Sequence, residues 1–286
     1  MIYLQETQPP EINAMPKVFF LIVLCVVIGS VVLTRVYFVI EKLYASKNKK
    51  PFFLNVVLFK KELSRQQLSI LKKEFSFYNN LNEKEQSVFR HRLATFINQK
   101  EFIGRDGLFV DDKMVTLISA TAVMLTFGFR NYHLDLFDKI IIYPESYYSK
   151  INETYHKGET NPQLRAIVFS WEDFKQGYHI GDDNLNLGIH EFGHAIHLNA
   201  FSNNDISSEI FKSGFNQLTD YLQHHKVVRE DLITSRYFRA YAYTNHFEFF
   251  AVLLENFIET PIEFKSNFPE LYKHMKQMLN FNFANY

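Results

Sequence analysis

An uncharged segment near the N-terminus limits how this chain can fold. The sequence VFFLIVLCVVIGSVVLT runs from Val18 to Thr34 without a charged residue, and apolar character resumes after Arg35 in VYFVI. A helix needs about 20 apolar residues to cross a bilayer, and an arginine can extend its charge to the interface. Inside a membrane such a segment must satisfy its own backbone hydrogen bonds, which a helix does. We therefore expect one transmembrane anchor at residues 17–43.

Two other interpretations of this segment fit less well. A core helix is seldom apolar on every face, and a cleaved signal peptide has a shorter apolar region with small residues at its cleavage site. Leu24 before Cys25 does not suit lipoprotein cleavage either. Because Cys25 is the single cysteine, any metal site within one chain must rest on histidines and carboxylates.

Basic residues beside the anchor predict its orientation. Lys17 precedes the uncharged run together with Glu6 and Glu11, whereas five basic residues follow that run: Arg35, Lys42, Lys47, Lys49 and Lys50. Positive charge concentrates on the cytoplasmic side, so we expect a single-pass membrane protein with its C-terminal bulk in the cytoplasm. Over the whole chain, 31 basic residues balance 31 acidic ones, so no nucleic-acid partner is expected.

The predicted organisation is a short N-terminal segment (1–16), the anchor, a juxtamembrane linker (44–62) and one domain (63–286). Helical patterns dominate this domain, and short runs typical of strands lie in its middle. That distribution is typical of an α+β fold. We expect a mainly helical domain with a small β-sheet, preceded by one transmembrane helix.

Local signals predict individual elements. Asn82 and Glu85 have capping-box spacing, which predicts a helix from Glu83 to Gln99, and Asp111 or Asp112 can cap the next helix. KIIIYP and LRAIVFSW are runs rich in β-branched and aromatic residues that predict strands. Further helices are expected at 207–225, 245–259 and 270–279, and another that starts near Asp183 or Asn184 and carries LNLGIHEFGHAIHLNA.

The stretch HEFGHAIH contains the spacing HExxH. Residues four apart on a helix differ by about 40° of rotation and roughly 6 Å of rise, so the imidazoles of His190 and His194 can bind one tetrahedral zinc ion. Glu191 points about 100° away from His190, which suits a general base better than a ligand. His197 is expected beside the site or at the surface rather than as a ligand. The alternative is an ordinary amphipathic helix with partly buried histidines.

The HExxH spacing does not identify the third metal ligand. YAYTNHFEFFAVLLENFIETP offers Glu248 and Glu255, seven residues apart and so on one helical face. Glu248 could instead cap its own helix together with Asn245, and Glu255 could face solvent. His224 and His225 are further candidates.

Five segments together resemble the MtfA (Mlc titration factor A) family of zinc-dependent peptidases: IIIYPES, IVFSW, GIHEFGHAIHL, YAYTNHFEFFAVLLENFIETP and FPELY. The resemblance covers the C-terminal half well and the helices from Leu63 weakly. It implies a gluzincin-like metallopeptidase domain with one zinc ion per chain, bound by His190, His194 and Glu248, and with Glu191 as the general base. Tyr241 matches a family tyrosine that assists at the transition state, and Glu255 matches a recurrent second glutamate that orients a ligand histidine.

Several positions depart from the family pattern. Leu-Asp commonly follows the second ligand histidine, where this chain has Ile196 and His197, and the proline of NPxEFFA is replaced by His246. The best-known members are also soluble. These changes leave the implied ligands in place but alter their surroundings.

The function expected is hydrolysis of peptide bonds, with a water activated by zinc and Glu191 as the base. The partners expected are a peptide or protein substrate, the membrane, and, by resemblance, a transcription regulator similar to Mlc. LRAIVFSW is expected to be the edge strand along which a peptide lies. The alternative is a zinc-containing protein that sequesters a regulator with little or no proteolysis, but a scaffold would not need Glu191.

Overall fold

The computed structural model describes residues 14–286, apart from 56, 58, 150–152 and 180. Most of the predicted N-terminal segment, 1–16, therefore lies outside the described residues. The chain divides into two compact units, Met1–Leu43 and Tyr44–Tyr286. The expected mainly helical architecture with a small sheet and one N-terminal apolar helix is confirmed.

Helix α1 (Ala14–Asn48) contains the predicted anchor. It is long and apolar enough to cross a membrane, and side chains such as Phe19 and Leu33 are exposed. Exposed apolar side chains along a helix are what contact with lipid requires. The helix continues to Asn48, so the first residues of the predicted linker are helical.

A four-stranded sheet in the second unit has the strand order β1, β2, β6, β5. The strands β1, β2 and β6 are parallel, and β5 is antiparallel to β6. Strands β3 and β4 pair antiparallel in a separate two-stranded sheet. In the described part of the chain the strands are β1 (Glu101–Gly104), β2 (Lys139–Tyr143), β3 (Tyr147–Ser149), β4 (Thr154–His156), β5 (Gly158–Asn161) and β6 (Ala166–Ser170).

Strands β2 and β6 confirm the two predicted strands, but the expectation that the second lies at the sheet edge is wrong. Strand β6 lies between β2 and β5, and all of its residues are buried. The edge strand beside it is β5, which is short and partly polar and carries little sequence signal.

In the described residues the remaining helices are α2 (Arg65–Glu74), α3 (Ser76–Asn79), α4 (Glu83–Gln99), α5 (Asp112–Leu125), α6 (Trp171–His179), α7 (Leu187–Ser202), α8 (Ile206–His224), α9 (Lys226–Thr234), α10 (His246–Glu259), α11 (Pro261–Asn267) and α12 (Pro269–Met278), with a 3₁₀ turn at Ala240–Tyr243.

The predicted bounds of α4 and its capping box are confirmed, and Asp111 caps α5. The short helices α6, α9 and α11 were not predicted. In α6, packing supplies the stability that its length lacks, since the Trp171 and Phe174 rings stack with centroids 5.6 Å apart.

Helix α7, which carries HExxH, begins later than expected. Asn184 has a positive φ of 54°, and the Asp183 carboxylate accepts a hydrogen bond from the Leu185 N–H. Both features form a turn rather than a helix. The predicted start near Asp183 or Asn184 is therefore wrong, and the cap is Asn186, whose side chain accepts from the Ile189 N–H.

Helix α7 packs between the sheet and α10. On one side the Phe192 ring, which is 0% exposed, lies 5.4 Å from the Phe169 ring of β6. On the other side Gly193 faces α10 so closely that a Cβ there would lie 3.5 Å from Cα of Ala251 and 3.2 Å from the Leu254 side chain. These contacts fix the direction in which the HExxH side chains project.

We expect Phe192→Ala to lower the free energy of unfolding by about 3–5 kcal/mol, because it leaves a cavity between α7 and β6. Phe192→Leu, which keeps most of the volume, should cost less than about 1.5 kcal/mol. Urea unfolding followed by the fluorescence of Trp171, the single tryptophan, measures both. Equal losses in the two variants would contradict this account of the packing.

Candidate metal centre

The structure brings His190, His194 and Glu248 together. One potential ligand atom from each lies within 4.8 Å of the other two. The Glu248 Oε2 atom is 3.1 Å from His190 Nε2 and 3.4 Å from His194 Nε2, and the two Nε2 atoms are 3.0 Å apart. Residues from two helices thus direct three ligand atoms at one point.

Glu248 reaches this point because of how α10 begins. The Asn245 side chain accepts hydrogen bonds from the N–H groups of Phe247 and Glu248, both at 2.9 Å. Asn245 therefore supplies the helix cap, and the Glu248 carboxylate is directed at the two imidazoles. The Phe247 ring stacks on the His194 ring, with centroids 3.9 Å apart and planes 6° apart, which restricts the rotation of that imidazole.

Glu255 holds the opposite side of the His190 ring. Its Oε1 atom lies 2.7 Å from His190 Nδ1. A carboxylate there accepts the Nδ1–H hydrogen bond, so in the neutral imidazole Nε2 carries no proton and can bind a metal. Oε1 also accepts from Arg239 Nη2 at 2.6 Å, and Oε2 accepts from the Asn186 N–H at 3.2 Å. Glu255 is 0% exposed.

Glu191 lies against the edge strand β5. The Thr160 hydroxyl donates to Glu191, with Oε2 at 2.9 Å. A Cβ at Gly158 would lie 2.8 Å from Glu191 Cγ, so the glycine lets the glutamate approach the strand. Burial raises the pKa of Glu191 to about 7, against the lowering effects of His190 and of the Thr160 hydrogen bond. A carboxyl in this range can both accept and release a proton near neutral pH.

Tyr241 lies in the 3₁₀ turn, near the three candidate ligands, and its side chain is partly exposed to solvent. It is 51% exposed, and its ring centroid is 6.1 Å from that of His190. Partial burial and the Glu248 carboxylate raise the pKa of Tyr241 to about 12. Its hydroxyl therefore keeps its proton and can donate a hydrogen bond.

Three other candidate histidines lie elsewhere. His197 packs in a cluster of phenylalanines, with Phe215 and Phe201 at centroid distances of 4.6 and 4.8 Å, and burial lowers the pKa of His197 to about 4. His224 and His225 are exposed at the end of α8, each with Nδ1 2.7 Å from a main-chain oxygen. His197 is thus a neutral packing residue, whereas the sequence left open whether it lies beside the site or at the surface.

The replacement of the family proline also has a structural context. His246 is the first residue of α10, a position where proline is favoured because its missing N–H is not needed. The helix starts there without proline because Asn245 supplies the cap.

The residues present fit a metal ion. His190 and His194 turn their Nε2 atoms toward each other, and Glu248 Oε2 lies within 3.4 Å of both. Burial alone would lower the pKa of His190, but hydrogen bonds with Glu248 and Glu255 raise it to about 9. The hydrogen bonds of Glu248 with His190 and His194 lower the pKa of Glu248, whereas burial alone would raise it. A metal must displace that proton from His190, so metal affinity should fall as the pH falls.

Sequence patterns alone did not identify Arg239, Asn186 or Thr160. Arg239 meets Glu255 only because the turn before α10 folds back over α7, a tertiary contact without fixed spacing. Asn186 carried a signal that was missed, since an Asn shortly before HExxH is a good helix cap. Thr160 lies in a strand too short to show periodicity.

Comparison with known proteins identifies the family. Residues 47–280 match the family described as "Glucose-regulated metallo-peptidase M90". The chain belongs to this family. The match covers most of the second unit and includes every residue of the candidate metal centre, so this is a domain of the metallopeptidase type.

Individual relatives agree with the family match. Uncharacterized protein slr2042 of Synechocystis sp. is 24% identical over 242 residues, which cover 77% of this chain and 85% of that protein. Mlc titration factor A of Yersinia pestis and of Yersinia pseudotuberculosis are each 24% identical over 213 residues, covering 68% of this chain and 77% of theirs. The resemblance to the MtfA family is thereby confirmed.

A second, partly buried glutamate lies near the candidate metal centre. Glu259 Oε1 accepts from Asn186 Nδ2 at 2.9 Å, so Asn186 connects Glu259 with Glu255. Burial raises the pKa of Glu259 to about 8 from its ordinary value near 4.5, and the nearby Glu255 adds to the shift. The folded protein therefore holds a proton that the unfolded chain releases.

We expect Glu259→Gln to become increasingly stable relative to the wild type as the pH rises from about 4.5 to 8. Between these values the unfolded wild-type chain binds fewer protons than the folded one, so the wild type loses stability with rising pH. The glutamine keeps an oxygen for Asn186 and has no proton to release. Thermal unfolding of both proteins across this pH range is the measurement, and a difference independent of pH would contradict the assignment.

Proposed function

We propose that this protein is a zinc-dependent peptidase that hydrolyses peptide bonds. The observation that carries the proposal is the convergence of ligand atoms from His190, His194 and Glu248 within 4.8 Å, beside the buried Glu191, in a domain of the M90 metallopeptidase family. Three protein ligands leave a tetrahedral ion one open position, which is the arrangement of catalytic zinc sites.

The donor set supports zinc as the metal. Two imidazole nitrogens and one carboxylate oxygen are typical of catalytic zinc in peptidases. Bound there, zinc would polarise the substrate carbonyl and make a water molecule acidic. His190, His194 and Glu248 would hold one ion per chain, and Glu255 would keep the His190 ring oriented.

Glu191 is proposed as the general base. Its carboxylate takes a proton from the attacking water and then gives it to the leaving amine. The pKa of about 7 favours this exchange, and the Thr160 hydroxyl fixes Oε2. Tyr241 is proposed to donate its hydroxyl proton in a hydrogen bond to the carbonyl oxygen as negative charge develops there.

The substrate is proposed to bind as an extended peptide along β5. In the described part of the chain β5 pairs only with β6, and its residues Gly158 and Thr160 adjoin Glu191. An added strand would form main-chain hydrogen bonds with β5, with its scissile bond near the base.

The membrane placement is also a proposal. Residues 17–43 would form a single-pass anchor, 44–62 the juxtamembrane linker and 63–286 the peptidase domain, after a short segment at 1–16. The basic residues that follow the anchor support a cytoplasmic location for the domain.

A second candidate function is binding of a regulator. The Yersinia relatives are named for titration of Mlc, which supports a regulator-sequestering protein with little or no proteolysis as the alternative. Such a protein would have no need of a buried base held by Thr160, so we favour hydrolysis.

Glu191→Gln should retain zinc but lose turnover by at least about 100-fold, because the amide cannot accept the proton. Peptide cleavage and zinc content of the full chain in detergent are measured together, with the wild type as control. Undiminished cleavage by the glutamine variant would exclude Glu191 as the base. Zinc binding without cleavage in both proteins would favour the regulator-binding alternative.

Glu248→Ala should weaken zinc retention, because only two protein ligands remain. Zinc content after dialysis against a chelator measures retention, and His224→Ala serves as a control that removes an exposed histidine outside the centre. Wild-type zinc retention in Glu248→Ala would contradict the ligand assignment.

Arg239→Ala should weaken zinc affinity by about 10- to 100-fold, the usual cost of losing a group that orients a ligand. Arg239→Lys should recover part of it, since one ammonium can reach Glu255 but cannot also donate to the Asn184 carbonyl as Arg239 does. Chelator competition measures the affinity, and thermal unfolding checks that the variants fold. Unchanged affinity in the alanine variant would show that Glu255 orients His190 without Arg239.

A further inference from the structure

Five lysines from separate parts of the chain line one groove of about 700 Å³ in the second unit. We call it the lysine groove, and its charged residues are Lys49, Lys50, Lys265, Lys273, Lys276 and Glu270. The whole chain carries equal numbers of basic and acidic residues. The excess of positive charge here is therefore a local segregation and not a consequence of composition.

Within the described residues, one of the five lysines forms an ion pair with a side chain of the groove. Lys273 pairs with Glu270 at 3.2 Å, and Lys276 donates to the main-chain oxygen of Tyr286 at 2.6 Å. Lys49 donates to the Ser213 hydroxyl at 3.3 Å. Among the described residues that line the groove, five lysines thus outnumber one acidic side chain, an arrangement that attracts anions.

The chain connects the groove closely to the proposed anchor. Lys49 follows the last residue of α1 and is six residues after Leu43, or about 9 Å at the rise of a helix. The headgroup layer of a bilayer is about 5–7 Å thick, and charges act over about 8 Å at physiological ionic strength. Lys49 and Lys50 therefore come within reach of lipid headgroups.

We propose that the lysine groove binds the anionic headgroups of the leaflet from which the peptidase domain emerges. The proposal rests on the proposed membrane anchor but not on peptidase activity. Lys49 and Lys50 come directly from the anchor, whereas Lys265, Lys273 and Lys276 come from α11 and α12, far away in sequence. Their convergence on one groove makes the folded domain, and not only its linker, a partner of the membrane surface.

The test is protection of lysines in the full chain, reconstituted in phosphatidylcholine vesicles with and without phosphatidylserine. A membrane-impermeant amine reagent labels the outward-facing protein, and mass spectrometry gives the rate at each lysine. We expect phosphatidylserine to slow labelling of Lys265, Lys273 and Lys276 about fivefold, the factor expected for one lysine at an anionic surface. Lys157, whose side chain is 68% exposed and pairs with Asp173 outside the groove, should react equally in both membranes.

High salt should remove the protection. The triple variant Lys265→Gln, Lys273→Gln and Lys276→Gln leaves the lysines of the linker unchanged, and protection of Lys49 and Lys50 should decrease in it. Its zinc content should match the wild type, which checks that the domain folds.

Equal labelling of the groove in both membranes would overturn the proposal. Protection by inorganic phosphate in phosphatidylcholine vesicles, as strong as that by phosphatidylserine, would also overturn it in favour of a soluble anion. Vesicle flotation tests the anchor separately: a chain that does not float with vesicles contradicts both the anchor and the groove, whereas a floating chain with unprotected lysines contradicts the groove alone.

Discussion

The candidate metal centre depends on one fully buried carboxylate, that of Glu255. Burying a carboxylate is costly unless donors satisfy it. Here three donors come from two segments: Arg239 before the 3₁₀ turn, and His190 and the Asn186 N–H from α7 and its cap. Each donor belongs to an element that carries another part of the site. The hydrogen bonds to the Glu255 carboxylate thus fix three things: the start of α7, the position of the turn that carries Tyr241, and the orientation of the His190 ring.

Residue spacing left Glu248 and Glu255 as alternative candidates for the third ligand. In the structure both carboxylates contact the same residue, His190. They lie seven residues apart on α10, a rise of about 10 Å, and the His190 ring lies between their carboxylates. Glu248 meets Nε2 at 3.1 Å and Glu255 meets Nδ1 at 2.7 Å. The spacing that made the choice ambiguous is the spacing needed to hold one imidazole from both sides.

The parts that could be predicted from sequence are those with local signals. The capping box of α4 and the strand-forming residues of β2 and β6 identified these elements, because the interactions that define them lie within a few residues. The HExxH spacing likewise indicated that His190 and His194 converge, because helical geometry places residues four apart on the same side of a helix. The start of α7 was misplaced because acidic and amide residues suit caps and turns equally. The roles of Arg239 and Thr160 arise from contacts between distant segments, and no single-sequence pattern encodes them.

The edge strand β5 has a consequence for selection among substrates. It has only four residues, and a strand that joins it is held mainly through main-chain groups, which every residue type except proline supplies in full. In the proposed mode of binding, a segment would have to arrive extended, with its own N–H and C=O groups unpaired. Compact proteins keep those groups occupied, so pairing with β5 would distinguish unfolded or flexible stretches from folded ones before it distinguished one amino-acid sequence from another.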